Sequence, residues 1–132
     1  MIKFLLVIFV VFGSFKNISA EIVDQIIIKG NKRVSNETIL VYGNVKKKQD
    51  YSKADLNEIL KNLYSTNFFE DVEINLSNNT LIINLKEYPM INQLIILGEK
   101  SKRYKDQIRK TINLKEKKSF IKSFLSKDIE VI

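Results

Sequence analysis

The chain has no cysteine, no histidine and no tryptophan, and only one proline and four glycines in 132 residues. Without cysteine there is no disulfide framework and no thiol nucleophile. The missing histidine also removes the commonest general base and, with cysteine, the commonest zinc ligands. Enzymatic chemistry would fall to lysine or to carboxylates such as Asp50, Asp55, Glu70 and Asp71. Nothing gathers two of these around a pocket, and acidic residues beside helix starts and strand ends usually serve as caps or stand in water. No catalytic, cofactor-binding or metal-ligating residue is expected, and no cofactor.

Long apolar runs are scarce as well. The one present, residues 4–12 (FLLVIFVVF), follows Lys3, stops at Gly13 and is trailed by Ile18-Ser19-Ala20. A basic start, a short apolar stretch and a small residue at the cut form a secretory signal peptide. Nine apolar residues fall short of the roughly 20 that cross an apolar layer of about 30 Å. Residues 1–20 are therefore expected to be removed between Ala20 and Glu21.

Charge is unevenly spread. Residues 21–89 hold nine Lys/Arg against ten Asp/Glu, and residues 90–132 hold eleven against five. A basic half can face anionic lipid or nucleic acid. Export and the lack of aromatic residues interleaved with the cations argue against nucleic acid. A solvated face in a Lys-rich composition is the reading adopted.

Residues 22–29 (IVDQIIIK) are short, β-branched and stopped by Gly30-Asn31, which reads as a strand with Ile26 and Ile28 on one face. Ser35 caps a helix through about Tyr42, with Ile39 and Tyr42 as its buried stripe, and Gly43-Asn44 ends it. Ser52 and Asp55 open a second helix. Its apolar stripe is Leu56, Ile59, Leu60, Leu63 and Tyr64. Asn67 suits a left-handed helix end. Residues 72–76 alternate apolar and polar, Ser77-Asn78-Asn79 turns the chain, and residues 80–87 return as a second strand. The order is strand, helix, helix, strand, strand. After Pro89, residues 90–97 and Gly98-Glu99-Lys100 restate residues 22–29 and Gly30-Asn31-Lys32. Tyr104 to Ile112 then stands for the first helix, and Ser119 to Ile132 for the capped start of the second. Residues 21–89 thus form one repeat and residues 90–132 an incomplete second.

These stretches, "IIIKGNKRVSNETI", "LNEILKNLYSTNFFEDVEI" and "LIINLKEYPMINQLIILGEK", resemble the N-terminal POTRA repeats of the BamA family of outer-membrane β-barrel assembly factors. Gly30, Asn31, Arg33, Thr38, Leu63, Tyr64, Phe69, Asp71, Val72, Glu87 and Pro89 match position by position. Asn67 stands where the family commonly has glycine, and Glu99 where the second turn would have asparagine. The family's barrel is absent, so the chain reads as an N-terminal piece of a longer protein or a truncated frame.

The resemblance implies an α+β fold of tandem POTRA repeats, each a three-stranded mixed sheet with two helices on one face, the second truncated. It implies a periplasmic module attached to the outer membrane through the missing barrel. Its partners would be unfolded β-barrel precursors and accessory assembly lipoproteins, for insertion into the outer membrane. Alternatives are the POTRA region of a secretion or translocation-assembly transporter, or of a cell-division protein. The last would carry an uncleaved membrane helix and a single repeat.

Strand addition at an open edge suits such a module, and Val72, Glu73, Ile74, Asn75 and Leu76 are the expected edge. Glu73 and Asn75 would guard it against self-pairing, one N–H facing outward and the other toward residues 80–87. Gly30, Asn31, Ser35, Asn67 and Pro89 are expected to shape turns, caps and the joint. Arg33 reads as a surface or inter-domain contact, since one glycine does not make a phosphate-cradling loop.

N-terminal sequencing of the exported protein checks the leader. The first residue is expected to be Glu21, whereas an intact chain starting at Met1 in the inner membrane would identify an anchor.

Overall fold

The computed structural model describes residues 21–132, and the expected signal peptide with its cut after Ala20 lies outside the described residues. Strands β1 (Glu21–Ile22) and β3 (Asp50–Tyr51) pair antiparallel. Strands β2 (Gln25–Lys29), β4 (Phe69–Ser77) and β5 (Thr80–Glu87) form a mixed sheet in the order β2-β5-β4. Helices α1 (Asn36–Gly43) and α2 (Lys53–Ser65) come between β2 and β4, and α3 (Lys102–Thr111) and α4 (Lys122–Val131) follow β5. The α+β class and the element order of the first repeat are those the sequence implied.

The expected strand over residues 22–29 is split in two. Val23 is fully buried, donates its N–H to the Gln49 carbonyl and accepts from the Lys48 N–H. The chain therefore pairs first with β3 and only afterwards with β5. Tyr51, which no periodic pattern marks, is buried with its hydroxyl bonded to the Lys46 backbone.

Helix α1 starts where Ser35 Oγ accepts the Thr38 N–H at 3.2 Å. It ends at Asn44, whose left-handed φ of 53° lets its N–H reach the last carbonyls. Ile39 is fully buried, but Tyr42 is 50% exposed. The face toward α2 runs from Ile39 to Gly43, one turn on, not to Tyr42. A Cβ at Gly43 would stand 3.0 Å from Val45 Cγ2 and 3.3 Å from Ile59 Cγ2, so a bare backbone lets α1 approach α2. Tyr42 instead meets Phe68 edge-on at 5.9 Å.

Helix α2 has a full capping box, with Ser52 and Asp55 satisfying each other's backbone N–H groups. Ile59 and Leu63 are buried and pack on Phe69, Val72, Leu81, Ile83 and Leu85 from one face of the sheet. Glu73 and Asn75 lie exposed on the opposite face. Alternation along β4 and β5 thus decides which face the helices cover.

Residues 90–132 depart from expectation. Residues 91–97 form no strand, and Met90 makes only an isolated bridge with Ser119. In the first repeat β2 takes its ladder from β5, and the described residues after Leu97 contain no strand to fill that role. The turn survives without it, since Gly98 has φ 84° where Gly30 has 88°. Helix α4 starts at Lys122 with no side-chain cap, so Ser119 does not open it.

Leu63 tests this packing. Leu63→Ala should cost about 2–5 kcal/mol as a fully buried large-to-small change, most of the stability of a domain this small. The urea midpoint of the chain is expected to fall sharply, and an unchanged midpoint would place the stripe in solvent.

Candidate functional site

Strand β4 is outermost in the sheet, as expected for Val72 to Leu76. Asn78 and Asn79 both have left-handed φ, 49° and 59°, which makes the connection a tight two-residue turn of the type that matches strand twist. Such a turn puts Ser77 and Thr80 in the hydrogen-bonded pair beside it, and the pairs then alternate. Asn75 and Glu73 therefore turn their backbone groups toward β5, while Leu76, Ile74 and Val72 turn theirs outward. The Val72 N–H agrees, since it reaches the Tyr64 hydroxyl at 3.1 Å instead of β5. The expectation that Glu73 and Asn75 differ is thus corrected. Residues two apart in a strand share one N–H direction as well as one side-chain face.

The outward groups are not equally available. Tyr64 accepts from Val72 and donates to Asp71 Oδ1 at 3.1 Å, covering the start of the edge. Ile74 and Leu76 lie beyond it. A bulge at Glu70 disturbs the register between Phe69 and Asp71. Strand β2 is the other outer strand of the sheet, an edge the sequence reading left unremarked.

The opposite end of β5 is clamped. Glu87 accepts backbone N–H groups from Lys32 and Val34 at 2.8 and 3.0 Å and from Arg33 at 2.9 Å. Arg33 adds an ion pair to Glu87 at 3.0 Å and donates to the Tyr88 carbonyl at 2.6 Å. The Glu87 side chain is only 6% exposed. Burial alone would raise its pKa, but the three backbone N–H groups and the guanidinium together hold it below the usual glutamate value. Gly30 enters this turn at φ 88°, where a Cβ would fall 1.9 Å from the Leu85 carbonyl oxygen, so only glycine fits. Asn31 has no left-handed backbone. Its amide instead donates to the Val34 carbonyl and to Asn36 Oδ1.

Arg33 is therefore committed within the first repeat, at the mouth of the linker. On the other side of Pro89, the Phe120 N–H donates to the Pro89 carbonyl at 2.7 Å. Ile91 exchanges backbone bonds with Lys117 and Lys118. Buried Asp128 of α4 accepts from the backbone N–H groups of Asn113 and Leu114 and from the Asn113 amide, which fixes the loop after α3. Burial opposes charge on Asp128, and those donors restore it, leaving its pKa lowered. Asn67, with φ 58°, turns the chain from α2 into β4 as expected.

The four carboxylates weighed for catalysis have structural partners or stand apart. Asp55 caps α2, Asp71 meets Tyr64, Glu70 pairs with Lys86 at 2.9 Å, and Asp50 is exposed on β3. Among the described residues no three His, Cys, Asp or Glu are grouped to hold a metal ion. Nor is any helix there long and apolar enough to cross a membrane.

Residues 21–88 match the family model described as POTRA, surface antigen variable number repeat. The chain is 35% identical over 81 residues to the outer membrane protein assembly factor BamA of Neorickettsia risticii, covering 61% of this chain and 11% of that protein. It is 32% identical over 78 residues to BamA of Neisseria meningitidis serogroup B, covering 59% and 10%. The match thus spans about a tenth of these relatives. The N-terminal domain of Omp85 from Thermosynechococcus elongatus aligns with a TM-score of 0.58 at 12% identity, over 86% of this chain and 49% of that one. POTRA1-2 of Omp85 from Anabaena gives 0.56 at 12%, over 86% and 76%. At such identity the two structures speak for the fold alone.

The Glu87 clamp predicts a pH dependence. Its folded pKa lies below the unfolded one, so its contribution is present above the ordinary glutamate range and lost as pH falls through the folded value. Glu87→Gln should lower the urea midpoint at pH 7 and flatten its decline on acidification. Parallel curves for parent and variant from pH 7 to 3 would show that the carboxylate charge contributes nothing.

Proposed function

The chain belongs to the POTRA family, and on that premise we propose that it works as a periplasmic module of an outer-membrane protein assembly factor. It receives unfolded β-barrel precursors, and accessory assembly proteins, by strand addition along β4. The observation that carries this reading is the outward row of backbone groups at Ile74 and Leu76 on an outermost strand. An extended segment can satisfy both through main-chain bonds, which depend little on its sequence. Exposed Glu73 and Asn75 act as guards, since a polar edge discourages pairing between copies. Anchoring comes from a membrane barrel elsewhere in the full-length protein.

Residues 90–132 are proposed as the opening of a second repeat. The Gly98 turn and the two helices support this. So does the 86% of the chain covered by the Omp85 domains, more than residues 21–89 can supply.

Proline substitutions test the edge. At Glu73 or Asn75 proline removes an N–H directed at β5, so both variants should lose the fold. Ile74 has an outward N–H but a half-buried side chain, so Ile74→Ala serves as its packing control. Both Ile74 variants should keep the circular dichroism spectrum. Ile74→Pro should bind an extended barrel-strand peptide about tenfold more weakly than Ile74→Ala, a main-chain bond being lost. NMR titration of the parent should shift the Ile74 and Leu76 amides. Equal affinities for the two Ile74 variants, or shifts confined to β2, would overturn addition at β4.

A further inference from the structure

A groove of about 400 Å³ opens between the first repeat and the helical half, beside the clamped linker. Phe68, Ile121 and Phe124 form its apolar floor, cations stand on its rim, and no carboxylate lines it. The cations are not equivalent. Arg33 is matched by Glu87, and Lys115 turns its Nζ to the Arg109 and Lys110 carbonyls at the end of α3. Lys117 and Lys118 are exposed and, among the described residues, join no ion pair. Their backbones are nonetheless fixed, since Lys117 N–H donates to the Ile91 carbonyl at 2.7 Å and Lys118 accepts from Ile91 N–H at 2.9 Å. Lys117 stands beside Glu116, whose carboxylate pairs with Arg109 at 3.4 Å, so two cations outside any ion pair are held beside the apolar floor.

We infer that this groove docks an acidic, extended segment of a partner protein. One aromatic or branched side chain of the segment lies on the Phe68–Phe124 floor, and neighbouring carboxylates meet Lys117 and Lys118. Charge complementarity selects the acid, and the floor selects a side chain beside it. The volume suits one or two side chains. A flat bilayer meets the rim but not the recessed floor, and a small anion has no use for three apolar residues. The groove adjoins the start of β4 but uses none of the outward groups of Ile74 and Leu76, so it is independent of strand addition.

The test is fluorescence anisotropy of a labelled Asp/Glu-rich peptide with a central Phe against the whole chain. Binding should weaken with salt. The double variant Lys117→Glu, Lys118→Glu should weaken it about tenfold, whereas Lys46→Glu, Lys47→Glu on the far loop should leave it unchanged. NMR titration of the parent requires no variant and should shift the Phe68, Ser119 and Phe124 amides. Unchanged affinity on charge reversal overturns the proposal, as does equal binding of the peptide with Ala in place of Phe. Binding to phosphatidylglycerol vesicles with none to the peptide would make the partner a membrane and likewise overturn it.

Discussion

The carboxylate of Glu87 gathers three successive backbone N–H groups, those of Lys32, Arg33 and Val34, and the Arg33 guanidinium onto one side chain. The Glu87 side chain is only 6% exposed, and a nearly buried carboxylate without such donors would be costly. By satisfying them, Glu87 fastens the last residue of β5 to the entry of α1. The turn can press this close to β5 because Gly30 has no side chain to meet the Leu85 carbonyl. Sheet, first helix and linker all depend on that contact. On one side of it lies the parallel β2–β5 pairing, and on the other Arg33 donates to the Tyr88 carbonyl.

At the far end of the sheet a second local constraint sets the edge. Two asparagines in left-handed conformation define a two-residue turn, and the turn defines the register of the whole hairpin. From register follows which backbone groups of β4 face β5 and which face outward. Tyr64, on the exposed flank of α2, then takes one outward N–H for itself. What is left open is short, and its exposed side chains are polar. An edge of that kind can receive a partner strand without inviting its own copies.

The helical half shows what a strand requires. Its glycine turn adopts the same backbone as the first, and its residues include consecutive β-branched ones, Ile95 and Ile96. Yet the segment stays irregular because a strand is stabilised by its neighbours, not by propensity alone. The Ile91 backbone bonds instead to the loop after α3, to Lys117 and Lys118. Those bonds tie the linker to the loop whose Lys117 and Lys118 line the cationic groove.

The sequence by itself determined the strand-helix-helix-strand-strand order of residues 21–89, the capping at Ser35 and Ser52, the buried stripe of Ile59 and Leu63, and the turn at Asn78-Asn79. These features are local, written within a few residues as periodicity, cap chemistry and tolerance of positive φ. The position-by-position likeness also led to the family, and the outer position of β4 came with the fold it implied. Tertiary structure alone decided the split of the first strand, the burial of Tyr51, the exposure of Tyr42, the Arg33–Glu87 clamp and the failure of residues 91–97 to form a strand. Each joins residues far apart in sequence or depends on a partner strand, and such pairings leave no periodic trace. Glu87 and Arg33 are 54 positions apart, and only the parallel crossover that sets β5 beside β2 brings them within reach.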